Sequence, residues 1–497
     1  DFLSLSGITE RPTLGYRTLS DSEWNFALDE EGNSLSDSDG NVWKNNSLGK
    51  KRRLWQSGNS GENWFTRGFD HSLKLKIYGP EWFNSYNTAA PYGQNDGALW
   101  QGKGYNTSLT GGARLEAYGF EVTVKPQVSY SQNKEFDLMT SVTSSPYGYY
   151  QRGIDLPQRF GDSSFWTYDW GDTEIRYTWQ SLTLGAGTQS PWLGPAWLNP
   201  MLGSNNAATY PKLDAGLRKT SVYLPYFGWY IGDIEGRVFN RIFITDWAAH
   251  NLKYIGRLFT LSKSNGSQVG THEDEDQKVA LFADWQFSNV GFEVYGELGI
   301  DDFTSDQLSN PFHTAIYTIG AKQSIPIAET IQKYTGKLKS ELIFEWNNFE
   351  MSQDFQLQWQ YTGYYSHGSI SQGYTNKGQI LGAGTGYFGN SQFLGYKIYH
   401  SHGSVMLFFH RFCPDNNYIY NMAVNADASS DSTSSTVNAD YYAVYKTVRS
   451  YGISVTQFFS SSFFINANLT RSFTGHKVYT QASDAGFHFG LTVKYNL

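Results

Sequence analysis

Apolar and polar residues alternate with a period of two along much of this chain. From Phe120 the apolar positions are Phe120, Val122, Val124, Val128 and Tyr130, interrupted only at Pro126, against Glu121, Thr123, Lys125, Gln127 and Ser129. Val279, Leu281, Ala283, Trp285 and Phe287 stand against Lys278, Asp284 and Gln286. Leu338, Leu342, Phe344 and Trp346 face Lys339, Glu341 and Glu345, and Phe463, Ile465, Ala467 and Leu469 face Asn466, Asn468 and Thr470. Successive side chains of a strand point to opposite faces, so each segment predicts a β-strand with one apolar and one polar side. The stretch 325–337 spaces its apolar residues like a short helix, expected to cap the periplasmic side.

Alternation does not say which face is outside, since a soluble sandwich or propeller would turn its apolar side inward. Four features favour a membrane barrel. Several runs approach the roughly 9–11 residues that a tilted strand needs to cross a bilayer. Short turns, at 287–291 and 460–462, alternate with long polar loops, at 413–440 and 471–485, as in barrels with short periplasmic turns and long outer loops. Tyr and Trp gather near strand ends, where interfacial girdles sit. The chain also closes on an alternating strand, with Phe487, Phe489, Leu491, Val493, Tyr495 and Leu497 on one face. Such a strand is suited to pair with the first and remove the sheet edge. The expectation is an all-β transmembrane antiparallel barrel of about 18 strands, with 16 as the alternative, and a lumen partly filled by loops. Residues 67–497 would form the barrel. Residues 1–66, rich in Ser, Asp, Asn and Gly, would be a periplasmic segment or partial plug.

Composition agrees. Aromatic residues make up 17% of the 497 and Gly numbers 50, whereas charged residues reach only 17%. The mean hydropathy of −0.48 hides a barrel's membrane signal, because its two faces average out. Apolar runs such as 405–409 fall far short of the about 18–20 residues of a helical span. A net charge of −8 with no basic stripe argues against nucleic acid as a partner. The single cysteine, Cys413, rules out an intrachain disulfide framework. The opening Asp-Phe-Leu-Ser-Leu-Ser lacks a basic export signal, so the sequence is expected to be a mature form.

Two long stretches stand outside the strand pattern. Residues 188–218 carry Trp192, Trp197, Asn205, Asn206 and Tyr210, and residues 361–390 carry Tyr364, Tyr365, His367, Tyr374 and Gln379. Loops this aromatic are expected to fold into something or to bind something. With the segments Pro91–Gly102, Gln189–Pro195, Tyr364–Gly368, Gly373–Tyr374 and Gly378–Gly382, and a final strand ending in Leu, the chain resembles the Wzi-type capsule-assembly family of outer-membrane proteins. The resemblance runs from about Trp64 to the C-terminus and is patchy between these motifs. It implies an 18-stranded barrel acting as a surface lectin for capsular or other surface polysaccharide. It also implies contact with outer-membrane lipids, including lipopolysaccharide, and with the barrel-insertion machinery. The chain departs from the enterobacterial members at its N-terminus, and 262–277 is short by about one hairpin.

Sugar recognition needs flat apolar faces for the C–H side of a pyranose and planar polar groups for its hydroxyls. Trp192, Trp197, Asn205, Asn206, Tyr364, Tyr365, His367, Tyr374 and Gln379 supply both, though the same residues could simply brace a lumen. The acidic run 272–276 lacks the spacing of a calcium loop and reads as a solvated loop. His400 and His402 have no further metal ligand in view. Gly382, Gly384 and Gly386 lack a nucleotide-binding setting, and Glu341 and Glu345 read as lumenal charge rather than an acid–base pair. No nucleophile–base set points to an enzyme, and no cofactor is expected. A diffusion porin is the alternative function.

Overall fold

The computed structural model describes residues 2–5, 13–16, 25–26, 44–45, 55–56, 73–138, 154–241, 278–301, 315–336, 338–350, 364–366, 370, 372–386, 389–400, 402–414, 446–460, 463–475 and 483–495. Sixteen antiparallel strands among them form a closed barrel, and the two-residue strand Trp55–Gln56 pairs with the start of the first. They are β1 (Lys74–Asn87), β2 (Gly104–Ala117), β3 (Phe120–Val124 and Gln127–Ser131) and β4 (Phe165–Asp169 and Glu174–Trp179). β5 (Leu182–Gly187), β6 (Lys212–Tyr223), β7 (Tyr230–Arg241) and β8 (Lys278–Phe287) follow. β9 (Phe292–Asp301), β10 (Ala315–Ile325), β11 (Lys339–Asn348) and β12 (Asn390–His400) continue the sheet. β13 (Gly403–Cys413), β14 (Thr447–Phe458), β15 (Phe463–Gly475) and β16 (Asp484–Tyr495) complete it. The order is that of the sequence, and β16 pairs with β1, His488 opposite Asn87 and Lys494 opposite Glu81. The expectation that the last strand closes the barrel is met. A further hairpin, the difference between sixteen strands and eighteen, would fall in 242–277, outside the described residues.

β3 is split where Pro126 has no N–H to give to the ladder. Helix α1 (Glu329–Thr335) joins β10 to β11, within the stretch whose spacing predicted it. Two expected loop boundaries shift. Lys212–Arg218 belongs to β6 and not to a loop, and Arg471–Gly475 extends β15. At Lys212–Arg218 the inward Lys212, Asp214 and Arg218 alternate with Leu213, Ala215 and Leu217, so the period of two holds, whereas Arg471 takes an outward apolar position on β15 without ending the strand.

The apolar face is the outer one. Leu281 is 59% exposed and Trp285 68%, while Phe487, Phe489 and Leu491 of the closing strand also point out. Their neighbours Glu293, Glu297, Glu341, Glu345, Lys322 and His488 are buried inside. A continuous apolar surface around the whole sheet has no place in water, where each Å² would cost about 25 cal/mol. In hydrocarbon it costs nothing, and closure removes the free sheet edges whose backbone groups lipid could not satisfy. The soluble alternative is thereby excluded. Tyr223, Tyr226, Phe227, Trp229 and Tyr230 crowd the β6–β7 turn with exposed rings, as an interfacial girdle does.

Because each strand reverses the one before, the connections sort by parity. The short turns at 118–119, 180–181, 401–402 and 459–462 fall at one end together with the end of β16. The long connections 88–103, 132–164, 188–211, 349–389 and 414–446 fall at the other.

Candidate functional site

The described parts of three of those long connections, 88–103, 188–211 and 349–389, fold down into the barrel, and two wall carboxyls hold the second of them. Glu345 on β11 accepts the backbone N–H groups of Trp197 (2.6 Å), Leu198 (3.2 Å) and Asn199 (2.9 Å), and the Tyr295 hydroxyl at 2.9 Å. Glu297 on β9 accepts those of Ala196 and Met201, each at 3.0 Å. Successive N–H groups wrapped around a carboxyl satisfy donors that a buried loop would otherwise leave orphaned. The loops also hold one another. Gly97 N–H donates to the Asn205 carbonyl at 2.7 Å, and Asn205 Nδ2 returns a bond to the Asn95 carbonyl at 3.1 Å. Asn206 Nδ2 donates to the Ile380 carbonyl at 3.1 Å, and Ser204 Oγ to that of Gly382.

The aromatic residues singled out in the sequence divide into two groups. Tyr364 and Tyr365 are buried with Met201, Phe349 and Ile380 of the plug and Ile316 of β10 in an apolar knot between plug and wall. Tyr365 donates to the Met201 carbonyl (2.7 Å), accepts the Ala383 N–H (2.9 Å) and stacks on Tyr374, whose hydroxyl donates to the Leu202 carbonyl at 2.7 Å. Burial raises the Tyr365 hydroxyl pKa well above its ordinary value. Trp192 is 5% exposed and donates to the Ala196 carbonyl. These side chains hold the plug together and offer no face to a ligand from outside. His367 lies outside the described residues, as does the acidic run 272–276.

Trp197, Asn206 and Gln379 instead line a cavity of about 1060 Å³ between the plug and the inner faces of β12–β16 and β1. The Trp197 ring has the ammonium groups of Lys322 and Lys397 at 5.8 and 5.5 Å from its centre. Asn205 stays within the loop contacts. Tyr92, Asp96 and Gln101 join the rim from the 88–103 connection. Asp96 takes a bond from Gln101 Nε2 at 2.5 Å, and burial pushes its carboxyl up to about 7. The opposite wall is supplied by Phe393, Met406, Phe408, His410 and Phe412, with Ser454, Asn468, Thr470 and Ser472 beside them.

The sequence reading missed that wall, and it missed Glu297 as an anchor. One signal was present. β13 is apolar on both faces, with Leu407 and Phe409 outward and Met406, Phe408 and Phe412 inward, where neighbouring strands place polar residues. Among the described residues no group of three or more His, Cys, Asp or Glu could hold a metal ion.

N-terminal residues reach the same lumen. The Glu235 carboxyl on β7 accepts the Thr13 hydroxyl (2.5 Å) and the Gly15 N–H (2.8 Å). The Tyr16 ring is flanked by Arg176, Arg218 and Arg237 at 5.2, 5.6 and 5.0 Å. Beneath it Asp214 bonds both Arg176 and Arg237 at 2.8 Å, with Glu174 beside them.

A closed meander with an apolar exterior, polar interior and inward-folded loops defines the architecture of outer-membrane β-barrels. No protein-family model matches the chain, and no curated protein matches it. Among solved structures it is similar to Wzi, described as a carbohydrate-binding outer-membrane β-barrel involved in Group 1 capsule assembly in Escherichia coli. That match has 9% identity over 84% of this chain and 85% of that one, with a TM-score of 0.51. OprB of Pseudomonas putida matches at 12% identity over 85% and 94%, with a TM-score of 0.44. The outer-membrane channel DcaP of Acinetobacter baumannii matches at 10% over 86% and 97%, with a TM-score of 0.34. At such identities the likeness concerns the fold.

Proposed function

We propose that this protein is a non-catalytic outer-membrane barrel that binds surface polysaccharide and holds it at the cell exterior. The supporting observation is the lined cavity itself. Trp197, Asn206 and Gln379 on the plug face aromatic and hydroxyl side chains across a space of about 1060 Å³. Rings offer flat faces to the C–H side of a sugar, and amides and hydroxyls meet its hydroxyl groups. The fold similarity to Wzi, itself described as carbohydrate-binding, points the same way. In this reading the long connections face the cell exterior and the short turns the periplasm. Lipids, lipopolysaccharide among them, surround the apolar belt, and the barrel-insertion machinery delivers the chain.

The test is saturable binding of purified surface glycan to the detergent-solubilised full chain. Trp197→Ala and Gln379→Ala are expected to weaken it while thermal unfolding stays cooperative. Planar-bilayer recording separates this reading from the rival one of a diffusion porin, which rests on the same lumenal space. A plugged glycan binder stays silent, and a steady open conductance without glycan binding would replace this proposal with the porin.

A further inference from the structure

The cavity wall opposite the plug has its own construction, and it follows one strand. On the inward face of β13, Met406, Phe408, His410 and Phe412 succeed one another, and Phe393 of β12 stands beside His410 in register. At a rise of about 3.3–3.4 Å per residue, this file covers about 20 Å along the strand, longer than one sugar ring. Its rings touch in sequence. Phe393 lies 5.9 Å from Phe408 at an interplanar angle of 25°, and His410 lies 5.0 Å from Phe412, also at 25°.

Glycines make these side chains lie flat. A Cβ on Gly452, directly across from Phe408, would sit 2.2 Å from that ring, and a Cβ on Gly395 would sit 3.0 Å from the Phe393 ring. Likewise a Cβ on Gly490, across from Asn468, would sit 2.3 Å from the Asn468 amide. Each side chain is thus laid against the wall with one face toward the cavity, and does not stand up into it.

The polar groups in this file have atoms to spare. His410 Nε2 and Asn468 Oδ1 are buried without a hydrogen-bond partner among the described residues. A buried polar atom left unmet costs about 1–3 kcal/mol, which a ligand's hydroxyl would relieve. Lining charges, Asp96, Lys103, Glu135, Asp137, Lys446 and Asp484, come from the plug, the long connections and the loop end of β16, while Phe393, Met406, Phe408, His410, Phe412, Ser454, Asn468, Thr470 and Ser472 carry none or only a histidine.

We infer that the β12–β15 wall is an elongated subsite for an uncharged stretch of saccharide. Phe408 and Phe412, half-buried on β13, stack on successive sugar faces with Phe393 packed behind them, and the Asn468 amide and Ser472 hydroxyl meet the sugar hydroxyls. This rests on the carbohydrate-binding reading above and assigns the contact to the barrel wall and not to the plug residues alone.

The experiment prints neutral oligosaccharides and uronic-acid oligosaccharides on one array and probes it with the full-length protein in detergent. Wild type, Phe408→Ala, Phe408→Tyr and Asn468→Leu are compared, each checked for the cooperative unfolding of an intact barrel. Binding to neutral probes is expected, weakened at least tenfold by Phe408→Ala and by Asn468→Leu and kept by Phe408→Tyr. Should Phe408→Ala fail to fold, Asn468→Leu carries the test alone. Undiminished binding in folded variants, or wild-type binding to uronic-acid probes only, overturns the subsite while leaving the carbohydrate-binding reading standing. A wild type that binds no probe and no purified surface glycan overturns both.

Discussion

Glu345 receives the backbone N–H of Trp197 at 2.6 Å across 148 positions of sequence. The same carboxyl also meets Leu198, Asn199 and Tyr295, so together with Glu297 it sets the depth at which the plug sits. Replacing it with alanine strands buried donors, each worth about 1–3 kcal/mol. Glu345→Ala is expected to lower the unfolding midpoint and to loosen residues 196–201 within an otherwise intact barrel. Planar-bilayer recording reads the second effect, with flickering conductance in the variant and none in the wild type. A variant as silent and as stable as wild type would show that the plug is held elsewhere.

The lipid-facing assignment is tested at Leu281, which is outward on β8, and at Asp284, which is inward on the same strand. An arginine facing hydrocarbon near the bilayer midplane costs about 2–4 kcal/mol. Leu281→Arg should therefore slow or block folding into lipid vesicles, whereas Asp284→Asn should fold at close to the wild-type rate. Equal folding of both would contradict the orientation of the sheet.

Asp214 sits between Arg176 and Arg237 at 2.8 Å from each. Removing one member of a buried charged group leaves the others uncompensated, at a cost of about 3–5 kcal/mol. Asp214→Ala should depress thermal stability by a margin that a wall substitution elsewhere does not reach. Combining it with Arg176→Met should recover part of the loss, because one of the two stranded charges goes with it.

Tyr16 joins the N-terminal residues to the wall through three guanidinium groups and a 3.0 Å bond to the Gly236 carbonyl. Stacked cations of this kind contribute about 0.5–2 kcal/mol each. With a cysteine placed at Leu14, Tyr16→Ala should speed thiol labelling there several-fold, and Tyr16→Phe should have a smaller effect, since the ring remains. Labelling at one common rate would mean that Thr13 and Gly15, through Glu235, suffice to hold the segment.

Asp96 supplies the pH dependence. Burial raises its carboxyl from the usual carboxylate range to about 7 in the fold. An acid whose folded pKa exceeds its unfolded one is bound more favourably when protonated. Its contribution is complete below pH about 4 and disappears as the pH rises through 7. The unfolding midpoint of wild type should fall between pH 5 and pH 8 by more than that of Asp96→Asn. Identical pH profiles would show that the loop carboxyl reaches water.

Much of the fold was legible in the sequence because strand periodicity is a local property. Two residues per repeat place Trp285 on one side and Asp284 on the other whatever the rest of the chain does. The final run from Phe487 announced a closing strand for the same reason. At Arg471, where a charge occupies an outward apolar position, strand and loop could not be told apart, whereas Lys212–Arg218 carries the alternation and was read as part of the loop before it.

The site was legible only in part. Trp192, Tyr364 and Tyr365 have the composition of sugar-binding residues, and the fold spends them on packing the plug. Trp197, Asn206 and Gln379, indistinguishable from them in sequence, reach the cavity. The difference arises from contacts such as Tyr365 with Met201, 164 residues apart. Period and composition, being short-range, determined that this chain makes amphipathic strands and aromatic loops. Which loop surface is buried, and that Phe408 faces an interior space across from Trp197, is set by how distant segments fill one lumen. Only closure of the barrel brings those segments together.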